Sequence, residues 1–258
     1  MGGGGYFDEV APLWEGMRRS SFSEAVREEA ISAADVKPGG LAADIGAGTG
    51  FMAEGLMHKG LRVIAVDRSE AMIEVMRRKF PNAPIDYCLG DAEGLPIEDG
   101  GVDYSFANML LHHVERPWAA IGEMARILRP GGALVVADLD EHDFGFLKIE
   151  HKDLWMGFRR GEVERWLLEA GLEGVSIRCA GENCCAKSSS GGERASISIF
   201  IASGKKRGPA RADGTRDPWA ELPGTPQAGG GTWPGRLGHP RQGRALRSPW
   251  HWEGHQPD

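Results

Sequence analysis

The stretch A-D-I-G-A-G-T-G, Ala43 to Gly50, decides the fold. It closes a short apolar run, Leu41–Ala47, which reads as a buried strand. Thr49–Lys59 behind it reads as a helix ending at Gly60. A strand that feeds a glycine-rich turn and then a helix makes a nucleotide-type ligand site. Which ligand depends on the residues around the glycines.

The same alternation continues outward. Leu61–Asp67, L-R-V-I-A-V-D, is β-branched and strand-like. Ser69 is placed to cap a helix running to Phe80, with Met72, Ile73, Met76 and Phe80 at helical spacing. Pro84–Asp91 and Val102–Leu111 read as strands three and four. Pro117–Leu128 reads as a helix stopped by Pro130-Gly131-Gly132, and Ala133–Asp138 as a fifth strand. Strands alternating with helices imply an α/β fold, a parallel sheet covered on both faces. Gly161–Ala170 is the last helical stretch. Gly174–Cys179 and Ala195–Ala202 are strand-like and joined by a polar loop without a helix, so they should pair antiparallel.

Residues 6–38 read as an N-terminal helical segment that breaks at Pro38-Gly39-Gly40. This gives three expected parts: a helical segment over 1–40, an α/β domain over 41–204 and a tail over 205–258. The tail holds 10 Gly and 8 Pro without periodicity and reads as disordered. Charge divides the same way: residues 1–204 carry −11 and residues 205–258 carry +4. An acidic body argues against a nucleic-acid partner, because phosphate backbones require a basic face. No apolar run reaches membrane-spanning length. The N-terminus, M-G-G-G-G-Y-F-D-E, lacks the basic and apolar regions of a secretory signal. The 4 cysteines, two of them adjacent, do not resemble a disulfide framework. The expected location is the cytoplasm.

A nucleoside-triphosphate loop requires Gly-Lys-Ser/Thr, whereas Phe51-Met52 follows Gly50 here. The dinucleotide fingerprint G-x-G-x-x-G is nearer, but its third glycine position holds Phe51. Asp44 separates the readings. A carboxylate beside a pyrophosphate is repulsive, whereas beside a cation it is useful. S-adenosylmethionine carries a sulfonium and an ammonium and no phosphate. Asp44, Asp67 and Asp91, at three successive strand ends, suit its charge.

These segments resemble the motifs of class I S-adenosylmethionine-dependent methyltransferases. D-I-G-A-G-T-G resembles their first motif and V-I-A-V-D-R-S-E-A-M, Val63–Met72, their second. G-D-A-E-G-L-P, Gly90–Pro96, resembles the third. F-A-N-M-L-L-H-H-V, Phe106–Val114, and A-R-I-L-R-P-G-G, Ala125–Gly132, resemble the later ones. The pattern is most similar to the ubiquinone/menaquinone-biosynthesis-like group, methyltransferase type 11, over residues 6–204. The resemblance implies a Rossmann-like, seven-stranded sheet of order 3-2-1-4-5-7-6 with strand 7 antiparallel. It also implies S-adenosylmethionine as cofactor and a small or medium-sized acceptor molecule.

By the resemblance, the backbone of Gly46, Ala47 and Gly48 passes under the methionine part of the cofactor, and Asp44 orients its ammonium. Asp67 accepts both ribose hydroxyls, Arg68 and Met72 flank the adenine, and Asp91 with Ala92 meets the adenine edge. Asn108 contributes from the methionine side. Tyr6, Phe7 and Trp14 are expected to close over the cofactor. Each has a plainer reading. Asp44 and Asp67 could cap helices, Asp91 could form a turn, and the aromatic residues could pack a terminal helix.

A neutral acceptor must lose a proton, so a base is a natural component. His112, His113 and His142 are the catalytic candidates, with Asp138 and Asp140 beside them. All follow strands four and five, where open α/β sheets bind ligands. L-H-H-V could equally be packing. Cys184-Cys185, read as loop residues, together with Cys179 and Cys88, suggest a thiophilic or metalloid acceptor. Their plainer reading is small loop residues, and no resident metal is expected. Asp153–Phe158, D-L-W-M-G-F, is expected to line the acceptor pocket or its lid. The rivals are a nicotinamide-dependent oxidoreductase and a non-catalytic S-adenosylmethionine-binding protein.

Overall fold

A computed structural model of the chain describes residues 4–208. They fall within one contact unit, Met1–Asp213. The strands are β1 Leu41–Ile45, β2 Arg62–Asp67, β3 Ile85–Leu89, β4 Val102–Asn108, β5 Leu128–Leu139, β6 Leu172–Lys187 and β7 Arg194–Lys206. They form one sheet of order β3-β2-β1-β4-β5-β7-β6. The first five pair in parallel, and β7 is antiparallel to β5 and β6. The order and the terminal hairpin are those expected from the sequence.

The middle of the sheet is buried on both faces because its central strands are mostly apolar, with Asp44 and Ser105 as buried polar exceptions. Ala42, Ala43 and Ile45 of β1 are completely buried. Successive side chains point to opposite faces. Ala42 joins a core built with α3 (Glu24–Ala33) and α4 (Phe51–His58). Ala43 and Ile45 join a second core built with α6 (Pro117–Arg126) and α8 (Arg160–Glu169). Such double coverage is the usual condition of parallel strands.

Ser69 caps α5 (Glu70–Lys79) as expected, its hydroxyl accepting the Met72 N–H at 3.1 Å. The same hydroxyl donates to Asp8 of α1 (Gly4–Val10). Ser69→Ala should therefore lower unfolding free energy by about 1 kcal/mol from the cap alone, read as a lower urea midpoint.

Several boundaries differ from the sequence reading, each for a local reason. The N-terminal segment is three short helices, α1, α2 (Trp14–Ser21) and α3, because Ser23 restarts the helix by accepting the Ala25 N–H. β4 stops at Asn108 rather than Leu111. Met109 takes φ 53°, and a 3-10 turn over Leu111–His113 follows. β5 begins at Leu128, ahead of the expected stop. Pro130-Gly131-Gly132 forms a bulge between the Val102–Leu128 and Tyr104–Ala133 pairs, where a missing N–H is tolerated.

The largest difference is β6. It does not end at Cys179 but continues to Lys187, because after a bulge Asn183–Lys187 pairs with Arg194–Ser198. Gly181, at φ 79°, lies in that bulge. Cys184 and Cys185 are strand residues, not loop residues. Only Ser188–Glu193 forms the turn, closed by Ser188 N–H to the Glu193 carbonyl. Lys205 and Lys206 end β7, and the remainder of the expected tail, from 209 onward, lies outside the described residues.

Candidate functional site

The glycine turn is held by backbone hydrogen bonds and one side chain. The N–H groups of Gly46 and Ala47 both donate to the Val66 carbonyl, at 2.8 and 3.1 Å. Asp67, at the end of β2, accepts the Gly48 N–H with Oδ2 and the Ser69 N–H with Oδ1, each at 2.8 Å. Gly46 has φ 67°, and a Cβ there would lie 2.5 Å from the Leu110 side chain. Only glycine fits that position.

α2 lies over the turn. The Trp14 Nε1 is 3.3 Å from where a Gly48 Cβ would be, and Glu15 accepts the Thr49 hydroxyl. Phe7 packs edge-on against Trp14 at 5.7 Å and His113 at 5.0 Å, and the Arg68 guanidinium sits 5.6 Å from its ring. Tyr6 packs behind Phe7 at 5.2 Å and does not line the cavity.

Beneath this cover is a cavity of about 1050 Å³ at the C-terminal ends of the strands. Its wall includes Asp44, Gly46, Ala47 and Gly48 from β1 and its turn, and Asp67, Arg68 and Met72 from β2 and α5. Asp91, Ala92 and Asn108 complete that half. Every residue expected to hold the cofactor thus faces one space.

The polar groups there are unevenly satisfied. Asp44 is buried and caps α4, with Oδ2 accepting the Ala53 N–H at 2.9 Å. Its other oxygen takes no hydrogen bond among the described residues. Burial pushes its carboxyl up to about 7, against one N–H that favours the anion. Desolvation also raises Asp67, although the backbone N–H groups of Ser69 and Gly48, with the Arg68 charge and N–H, favour its charged form. Asn108 Oδ1 is buried and has no hydrogen-bond partner among the described residues. Asp91 is exposed and closes a turn by accepting the Glu93 N–H at 2.8 Å.

The other half of the cavity has an apolar wall and a polar end. Met17 and Phe22 from the α2 region, Phe51, Leu147 and Ile197 give apolar surface. The unforeseen far end of the β6–β7 hairpin supplies part of that wall. At the polar end, Asp138 is buried at the end of β5. It accepts the Leu111 N–H with Oδ2 and the Leu139 N–H with Oδ1, both at 2.8 Å. Its Oδ1 also lies 2.6 Å from His112 Nδ1. Asp138 thereby fixes the 3-10 turn and commits one ring nitrogen of His112. Burial pulls the His112 pKa down, but the charge and hydrogen bond of Asp138 outweigh it and hold it above the ordinary value. His113 is held well below its ordinary value by burial and by the neighbouring His112. Its Nδ1 is buried, has no hydrogen-bond partner among the described residues and lies 3.8 Å from Asp153 Oδ1. Burial raises the Asp153 carboxyl.

Other expected members are placed elsewhere. His142 does not line the cavity; its Nδ1 accepts the Phe144 N–H at 3.3 Å. Asp140 is paired with Arg160 at 2.7 and 2.8 Å. The thiols do not gather at one rim. Cys88 is on β3 at the opposite edge of the sheet from β6, and Cys179 contacts Ser198 at 3.6 Å. Cys184 lines the cavity, but burial pushes its thiol up to about 12, so it stays protonated at neutral pH. Within 153–158 only Asp153 lines the cavity. Leu154 and Trp155 instead donate their N–H groups to the His112 carbonyl at 2.8 and 3.2 Å.

Residues 43–136 match the family model described as a methyltransferase domain. The chain is 35% identical over 142 residues to a demethylmenaquinone methyltransferase of Renibacterium salmoninarum, covering 54% of this chain and 59% of that protein. It is 36% identical over 152 residues to an uncharacterized 37.1 kDa protein in transposon TN4556 of Streptomyces fradiae, covering 57% and 43%. The chain thus spans about half the length of these curated relatives. Among solved structures, a Haemonchus contortus phosphoethanolamine N-methyltransferase 2 bound to S-adenosyl-L-methionine has the same fold. Its TM-score is 0.63 at 16% identity, covering 78% of this chain and 57% of that one.

One cavity-lining residue, Asp153, was not singled out by the sequence for its chemistry. Asp153 appears there only as part of an aromatic segment. Its position is set by the hydrogen bonds that tie its loop to His112, which no local pattern announces. Among the described residues, no helix is long and apolar enough to cross a membrane.

Proposed function

We propose that this chain methylates a medium-sized, largely apolar acceptor, with S-adenosylmethionine as the methyl donor. The observation that carries the reading is the glycine turn and the strand-end acids on one cavity wall, with Asn108 Oδ1 buried and unpaired. A buried orphan acceptor calls for a donor from a ligand. Asp44 lies at the turn, where a pyrophosphate would meet its carboxylate, so a dinucleotide fits poorly, whereas Asp67 would suit the ribose of either ligand. About 1050 Å³ lies at the top of the range for a single ligand, roughly 300–1,000 Å³, which leaves room for an acceptor.

When bound, the cofactor supplies a methyl group activated by its sulfonium for in-line displacement. The chain's part is positioning. Asp67 holds the ribose while pinning the turn through Gly48 N–H. Asp44 offers its unpaired oxygen to the ammonium, and Asn108 Oδ1 accepts beside it. Arg68 and Met72 flank the adenine, and Asp91 and Ala92 meet its edge. Phe7 and Trp14 exclude water from above. The apolar wall takes the body of the acceptor, while His112, His113 and Asp153 receive its polar end. The acidic body disfavours nucleic acid as acceptor, and four free thiols suit a reducing cytosol. Residues 41–204 act as the catalytic domain, with the preceding helices as its cover.

Calorimetry with S-adenosylmethionine, S-adenosylhomocysteine and NAD tests the cofactor. Both sulfur ligands should bind and NAD should not. Binding of NAD alone would remove this reading in favour of an oxidoreductase. An acceptor screen that reads S-adenosylhomocysteine release separates an enzyme from a binding protein. Arsenite belongs in that screen, with a Cys184→Ser/Cys185→Ser control. Turnover with arsenite that is lost in the control would assign the acceptor site to these thiols.

A further inference from the structure

We propose that His112, His113 and Asp153 bind one divalent transition-metal ion at the polar end of the cavity. Binding stands on these residues alone. The use of the ion, to hold the acceptor's oxygen or nitrogen, rests on the methyl-transfer reading.

Each of the three residues is buried and offers a ligand atom, and the three atoms lie within 4.8 Å of one another. The set of two imidazoles and one carboxylate suits zinc, manganese or nickel rather than calcium or a soft ion. His113 and Asp153 give the clearest sign. Among the described residues His113 Nδ1 has no hydrogen-bond partner, and it faces the Asp153 carboxylate at 3.8 Å. A proton cannot join them, because that separation is too long for a hydrogen bond. An ion with bonds of about 2.0–2.2 Å to nitrogen and oxygen spans it.

His112 is prepared in the way metal-binding histidines are. Its Nδ1 is engaged by Asp138 at 2.6 Å, so Nε2 keeps the free lone pair. A carboxylate behind a ligating imidazole fixes its tautomer and strengthens it as a ligand. Asp138 is itself anchored by the N–H groups of Leu111 and Leu139. Asp153 is held as firmly. Lys152, immediately before it, adopts φ 61°, a costly conformation for a residue with a Cβ. The next two residues donate to the His112 carbonyl. Three protein ligands with the fourth side open to a cavity is the arrangement of a working rather than a structural site.

The test uses the full chain, stripped with chelator and titrated separately with Zn²⁺, Mn²⁺ and Ni²⁺ by calorimetry, with metal analysis after desalting. At least one ion should bind at one per chain. His113→Ala and Asp153→Asn should each abolish that stoichiometric binding, and Asp138→Asn should weaken it by roughly 10–100-fold. Cys184→Ser/Cys185→Ser should bind as the parent does. Variants that still bind S-adenosylhomocysteine are folded, so their loss of metal is specific. The proposal fails if none of the three ions binds stoichiometrically, or if binding survives in both His113→Ala and Asp153→Asn. Cofactor binding without metal removes only this inference. Metal binding without cofactor binding removes the methyl-transfer reading and leaves the metal site.

Discussion

Asp67→Ala should weaken S-adenosylhomocysteine binding by roughly 100-fold, about 2.7 kcal/mol, measured by calorimetry at constant pH. Each Asp67 oxygen already accepts one backbone N–H, from Gly48 or Ser69. Each keeps a further lone pair for a ribose hydroxyl. Two hydrogen bonds to a charged acceptor, at about 1.5–3 kcal/mol each, supply the loss. Asp67→Ala also releases the Gly48 N–H, so the turn loosens with the contact. Asp67→Asn separates these effects. Its single carbonyl oxygen can still hold one N–H group but cannot serve both hydroxyls, so its affinity should lie between the two. If Asp67→Ala binds within a few-fold of the parent, the ribose assignment is wrong and Asp67 serves only to pin the turn.

The cofactor half of the cavity was legible because a parallel sheet turns linear offsets into position. Asp44, Asp67 and Asp91 each lie at or just past a strand end, and neighbouring parallel strands bring these ends to one rim. The glycines add a signal that sterics enforce, since Gly46 has no room for a Cβ. The polar half was only partly legible. L-H-H-V marked His112 and His113, but the residue that orients His112 lies 26 positions away on β5. His142 was drawn in by its nearness to the end of β5, yet the chain there turns it off the cavity. β6 hid its length because it is an edge strand. Its burial alternates weakly and its bulge contains Gly181, so E-N-C-C-A-K carries the composition of a loop. The pairing with β7 makes it a strand, and that pairing moved Cys184 from an imagined thiol cluster into an apolar wall.

Asp44→Asn should flatten two pH profiles that the parent shows. In the folded chain burial holds the Asp44 carboxyl at about 7, against an ordinary 3.8. Between those values the folded state keeps a proton that the unfolded state releases. The parent's unfolding free energy therefore carries a component that falls as pH rises. Its slope is at most about 1.4 kcal/mol per pH unit, and it levels off above about pH 7. Asp44→Asn lacks it, so in urea titrations the variant should gain on the parent from pH 5 to pH 7 and then run parallel. Its carbonyl oxygen can still accept the Ala53 N–H, so the α4 cap is kept. Cofactor binding runs with the opposite sign. An ammonium beside Asp44 favours the anion, so the parent's affinity should rise with pH, by up to ~10-fold per unit below the folded pKa. Relative to the variant, that rise ends near pH 7. The two profiles together decide what Asp44 does. If only stability differs and the binding curves coincide, Asp44 is a buried helix cap and the ammonium lies elsewhere. If both differ, the unpaired oxygen is a ligand contact, and the cost of burying it is the condition for receiving a cation.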